Sequence, residues 1–327
     1  MGKERQAKFS ASNLKMDREE FVKWICGVRK CAASSGTTNY YNLRRIRKVG
    51  DYKEPGVIPK NPRWVSETLY KKLNELTSIA KKNLSGTLVA YLKASKAPED
   101  KIKRAKKFMK DSVETIDQIY KSQVKSKKQK ANWLTHKKVV SFLKETNQKV
   151  QDRELFSKTK WSPSERRMTE DLLILAIHSN NPPRLEFSQL VYTKNKTKPN
   201  DKNWLFQERS AWFVVINKGK VISKKGAQKI KLGPVVARIL NKFKKYLKPE
   251  RAVFTTLKGV PITQNAYGKR LRGLFKRRFG KSVSANILRA VFLTTKYGNM
   301  PSLKNMEETS HAMMHDTKTA LSKYVKR

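Results

Sequence analysis

Four stretches in the second half of the chain carry side chains able to work on a phosphodiester. They are NPPRLEF around Arg184, the lysine-rich VVINKGKVISKKGAQKIKL over 214–232, SANILRAVF around Arg289, and MMHDTKTALSKY with His315 and Tyr324. Cleaving a phosphodiester without a metal needs cations around the two non-bridging oxygens of a trigonal-bipyramidal transition state. It also needs a nucleophile in line and an acid for the leaving oxygen. Two arginines, a lysine, a histidine and a tyrosine suffice. Taken singly, each has a plainer reading: Arg184 is one solvated arginine among many, and Tyr324 an amphipathic-helix residue packing on its domain. Arg289 is different. Its neighbours Ile287, Leu288, Val291 and Phe292 are core-forming, so its head must reach a partner, and a phosphate would satisfy it.

The elements that must hold these residues follow from composition and pattern. The 327 residues allow two or three domains, and a 38% hydrophobic share with six Trp argues for folded ones. The 74 Lys and Arg against 26 Asp and Glu give a net charge of +48. Such an excess is best tolerated beside a polyanion, and counterion release from nucleic acid is its natural driving force. No stretch of about 18 apolar residues supports a membrane span, and the N-terminal MGKERQAKFSASN lacks the apolar core of a secretion signal. Cys26 and Cys31 form neither a metal-binding nor a disulfide framework, and read as reduced core thiols in a reducing compartment.

The helical DREEFVKWICGVRKCA and a basic loop fill residues 1–60, closed by Pro55, Pro59 and Pro62. Residues 61–124 read as an all-α domain of three amphipathic segments, SETLYKKLNELTSIAKKNL, SGTLVAYLKAS and EDKIKRAKKFMKDSVETIDQIYKSQV. The polar, positive 125–132 reads as a linker. From 133 to 327 the pattern gives helices capped by Thr135, Ser162 with Glu165, and Ser284, and another with Pro234 at its first position. Between them SAWFVVINKGK and AQKIKL predict an antiparallel hairpin, with VFTT (253–256) a further short strand. The fold class expected is mainly α with a small antiparallel β-sheet.

Taken in order, the four stretches resemble the catalytic domain of the tyrosine recombinases, the integrase family with phage-type, mobile-element and large-DNA-virus members. Pro182-Pro183-Arg184-Leu185-Glu186 resembles the segment bearing the first catalytic arginine, and 214–232 the hairpin that carries the catalytic lysine. Asn286-Ile287-Leu288-Arg289 occupies the place of the His-x-x-Arg box, and His315 stands nine residues before Tyr324, the family's spacing. The all-α segment ending QVKSKKQKANWLT resembles the core-binding domain and linker. The resemblance covers about residues 64–327.

It implies site-specific DNA recombination or integration without metal, ATP or cofactor. Arg184 and Arg289 would hold the phosphate. Lys220, with Lys218 as the competing assignment and Lys224 and Lys225 close by, would protonate the leaving 5′-oxygen. His315, rather than His311, would take the histidine role. Tyr324 would attack to form a 3′-phosphotyrosine. Glu186 would orient an arginine. The partners implied are double-stranded DNA and a homotetramer on paired sites, with no membrane and no small-molecule substrate. The implied location is intracellular, with DNA, in a host nucleus or viral factory. Two departures stand out. Asn286 replaces histidine and cannot accept a proton as a general base. Only three residues follow Tyr324, where many relatives continue into a helix docked on a neighbour. A type IB topoisomerase-like nicking and resealing enzyme, and a catalytically impaired DNA-binding protein of the same fold, are the alternatives.

Overall fold

The computed structural model describes residues 15–194, 201–219, 222, 226–298, 303–314 and 316–326. The chain is mainly helical, with small sheets, and divides into two compact units, Met1–Ser122 and Gln123–Arg327. Among the described residues no helix is long and apolar enough to cross a membrane.

In the first unit a two-residue strand β1 (Lys15–Met16) leads to α1 (Arg18–Arg29), started by an Asp17–Glu20 capping box. Next come α2 (Ala33–Val49), β2 (Ile58–Pro59), antiparallel to β1, then α3 (Glu67–Asn74), α4 (Ser78–Ala94) and α5 (Glu99–Lys121). Phe21, Ile25, Leu43 and Ile46 lie in one core with Leu69, Leu84, Leu88 and Ile102. Residues 15–60 are therefore part of this unit rather than an extension ahead of it. The prolines end regular structure there without ending the packing. The Tyr40 hydroxyl donates to Gly56 O (2.6 Å), and that of Tyr91 to Pro59 O (2.6 Å). The expected break between Leu84 and Ser85 is also absent. It falls at Leu76–Thr77, where Thr77 caps α4, and Gly86 lies inside that helix facing Met109 of α5. Cys26 and Cys31 are free thiols, half-buried at the α1–α2 junction, with their sulfurs 2.8 Å apart.

In the second unit α6 (Lys127–Asn132), started by a Ser126–Gln129 capping box, occupies the stretch expected as linker. It is followed by α7 (His136–Asp152), capped by Thr135, and α8 (Pro163–Ser179), capped by Ser162 and Glu165. Leu172 to Ile177 are buried without interruption, which makes α8 the central helix of this unit. A 3-10 turn (Leu185–Gln189) then leads to β3 (Leu190–Tyr192), β4 (Asn203–Glu208), β5 (Ala211–Ile216) and β6 (Gln228–Lys231), hydrogen-bonded in that order.

The hairpin is present as β5–β6, with Val214 opposite Ile230. The sheet is mixed, however, not purely antiparallel: β3 and β4 run parallel. Residues 253–256 form no strand; isolated bridges pair Ala252, just before them, with Val191, and Thr255, within them, with Pro261. The helices that follow are α9 (Pro234–Phe243), α10 (Gln264–Phe279), α11 (Ala285–Tyr297) and α12 (Leu303–Ala312). Thr317–Thr319 then runs into a π-helical stretch, Ala320–Tyr324.

A buried ionic cluster joins α8 to α10. Arg270 donates to Asp171 Oδ1 (2.5 Å), Glu170 Oε2 (2.7 Å), Thr255 O and Arg167 O, while Glu170 also accepts from Thr255 and Arg166. Burial raises the Asp171 pKa above the usual carboxylate range, against the pull of Arg270. Every charge in the cluster has a partner, the condition on which buried ions are tolerated.

Candidate active site

The first arginine is aimed by its approach. At the end of α8, Asn181 adopts a left-handed conformation (φ 56°), which Asn accepts more readily than most residues. Buried Pro182 and Pro183 then hold the chain extended, so Arg184 enters the 3-10 turn at φ −72°, ψ 172°. Glu186, Phe187 and Ser188 face inward, and Glu186 is 6% exposed.

The start of the β5–β6 connection rests on this turn. A β-carbon at Gly219 would lie 2.7 Å from Glu186 Cγ, so the backbone beside Lys218 is pressed onto that glutamate. Asn203, at the start of β4, holds it there. Its Oδ1 accepts from the N–H groups of Asn217 (2.9 Å) and Lys218 (2.8 Å), and its Nδ2 donates to the carbonyls of Lys218 (3.0 Å) and Glu186 (3.4 Å).

The second arginine comes from α11. Ser284 caps the helix, and Ile287, Leu288 and Val291 anchor it in the core, which leaves Arg289 4% exposed. Its Nη2 donates to Asn286 Oδ1 (2.5 Å) and its Nη1 to the Tyr324 hydroxyl (3.4 Å). Its Cζ lies 5.2 Å from the centre of the tyrosine ring, a cation–π contact. Burial lowers the Arg289 pKa; Tyr324 opposes this, Arg184 adds to it, and Glu186 opposes it. Arg184, Glu186, Asn286, Arg289 and Tyr324 thus form one electrostatic neighbourhood from three remote segments.

Tyr324 is set by the last helical stretch. Ala320 is buried with Leu293, Tyr297 and Met313, and Leu321, Tyr324 and Val325 pack around them. Val325 N–H closes a five-residue π turn onto Ala320 O (3.2 Å). On α11, Thr294 Oγ1 accepts from Lys326 N (2.8 Å) and donates to Tyr324 O (3.5 Å), which ties both sides of the tyrosine to the helix of Arg289. The tyrosine itself stays partly exposed, open to a substrate.

Lys220 and His315 lie outside the described residues, as do Lys224 and Lys225. Lys218 is exposed on the turn that Asn203 holds, and His311 is exposed on α12. Two contributors lacked a local sequence signal. One is Asn203. The other is His178, the penultimate residue of LILAIHS, 1% exposed with no hydrogen-bond partner for either ring nitrogen. Burial, reinforced by the charge of Arg289, pushes its pKa down to about 3, so it stays neutral.

Two guanidinium groups beside a partly exposed phenol can grip a phosphate diester and lower the cost of ionising the phenol. Among the described residues no group of three or more His, Cys, Asp or Glu side chains gathers as a metal site requires. No protein-family model matches this chain, and no curated protein matches it.

Proposed function

We propose that the chain breaks and rejoins DNA through Tyr324, as a tyrosine recombinase does. The observation that carries this reading is the Arg289 guanidinium, buried and in contact with the Tyr324 hydroxyl, with Arg184 and Glu186 acting on the same charge. Tyr324 Oη passes its proton to His315 or to solvent water and attacks phosphorus. The 5′-oxygen departs with a proton from a turn lysine, Lys220 or Lys218, and a 3′-phosphotyrosine remains. A 5′-hydroxyl from another strand reverses these steps, so the bond energy is kept and no ATP is consumed. Strand exchange between two duplexes calls for four such tyrosines, hence a tetramer on paired sites. Most of the +48 charge faces phosphates and positions the DNA, with few side chains reading bases.

A catalytically impaired DNA-binding protein is the second reading, and Asn286 favours it. Its Oδ1 is taken up by Arg289, and an amide cannot serve as a base.

The test incubates the protein with nicked duplexes from a random-sequence pool, denatures it and recovers covalently linked DNA. The expected result is an adduct with the wild type and none with Tyr324→Phe. Binding without any adduct would select the second reading, and an adduct without transfer between duplexes a topoisomerase-like activity.

A further inference from the structure

We propose that Asn203 is the positioning residue for the lysine-bearing turn, and through it for protonation of the departing oxygen; this rests on the phosphoryl-transfer reading above. Asn is disfavoured in strands, yet Asn203 opens β4 at 2% exposure. Its amide is committed to four backbone groups. Both peptide groups of Lys218 are bracketed, its N–H by Oδ1 (2.8 Å) and its carbonyl by Nδ2 (3.0 Å). The same Nδ2 reaches the carbonyl of Glu186, two residues after Arg184 (3.4 Å), and Oδ1 also holds Asn217 N–H. Gly219 completes the clamp, because a β-carbon there would come within 2.7 Å of Glu186 Cγ and force one of them to shift.

The physical need is specific. A lysine is a point charge on a flexible four-carbon stem, so its aim is set by where its backbone is fixed. The connection from β5 to β6 spans residues 217–227, and Asn203 fixes its first two residues relative to the turn that carries Arg184. A lysine whose backbone is held this way starts from a fixed point before the substrate arrives.

The experiment uses the full chain and the cleavage site recovered from the random pool. Nicked duplexes carry either the ordinary phosphodiester or a 5′-bridging phosphorothiolate at that site. A thiolate leaves without being protonated, so a defect in the acid vanishes on the sulfur substrate, whereas a defect in phosphate grip or folding persists. Asn203→Ala is expected to slow adduct formation on the ordinary substrate by about 10- to 100-fold and to return to near the wild-type rate on the phosphorothiolate. Asn203→Asp keeps the acceptor for the two N–H groups and is expected to fall between. Gly219→Ala disturbs the same contact from the other side and replaces Asn203→Ala if that variant melts well below the wild type. A slow rate that persists on the phosphorothiolate, or no slowing on either substrate, overturns the positioning role alone. Failure of the wild type to form any Tyr324-dependent adduct overturns the underlying reading, and the positioning role with it.

Discussion

His178 and Arg289 are both buried, with opposite requirements. The guanidinium keeps its charge by bonding Asn286 and touching Tyr324, while the imidazole has no partner and stays neutral. With its native pKa near 3 against an ordinary 6.5, His178 binds its proton more weakly folded than unfolded. The stability associated with its neutral form is complete above pH 6.5 and is lost as pH falls toward 3, by at most about 1.4 kcal/mol per pH unit. His178→Leu is therefore expected to melt higher than the wild type at pH 5, with the gap narrowing toward pH 7.5. Thermal melts across that range check it, and a constant gap would assign the effect to packing alone. Of the site residues, Arg289 was legible from its apolar neighbours, because a core-facing arginine must find a partner. Asn203 was not, since its bonds run to backbone groups 14 to 17 positions away.

At the scale of elements, helix starts could be read from the chain and strand partners could not. Asp17, Thr135, Ser162 and Ser284 cap helices through bonds to residues three positions on, and such signals are local. Strand β5 alternates in burial and its period-two pattern predicts it. Strand β4 is buried at four consecutive positions, Asn203 to Phe206, and so carries no alternation. The Arg270 cluster locks α8 and α10, the helices on either side of the 3-10 turn and sheet. Arg270→Ala would leave Glu170 and Asp171 buried without their main countercharge, and is expected to cost about 3–5 kcal/mol in the second unit. Urea unfolding followed by tryptophan fluorescence measures it. A loss below 1 kcal/mol would mean that the cluster relaxes into solvent.

For the whole molecule, the division falls between Ser122 and Gln123, and each unit has its own core. Residues 1–122 are expected to fold alone and melt cooperatively, because Phe21, Ile25, Leu43 and Ile46 close that core. A fragment of residues 61–122 lacks all four and is expected to stay largely unfolded by circular dichroism. Cooperative melting of the shorter piece would restore the proline-rich stretch as a true domain boundary.

Composition, charge and local pattern by themselves determined a mainly helical, strongly basic chain, its main helix starts, and the order and spacing of the arginines, lysines and tyrosine on which the proposed phosphodiester chemistry rests. Those properties are sums over residues or bonds spanning a few positions, so they are written in the sequence. Only the tertiary structure decided that residues 15–60 belong to the first unit, that β3 joins β4 in parallel, and that Arg184, Glu186, Asn286, Arg289 and Tyr324 share one neighbourhood. Each of these depends on contacts between remote segments, closed by groups such as the buried Tyr40 and Asn203 and the half-buried Thr294, whose partners no local pattern names.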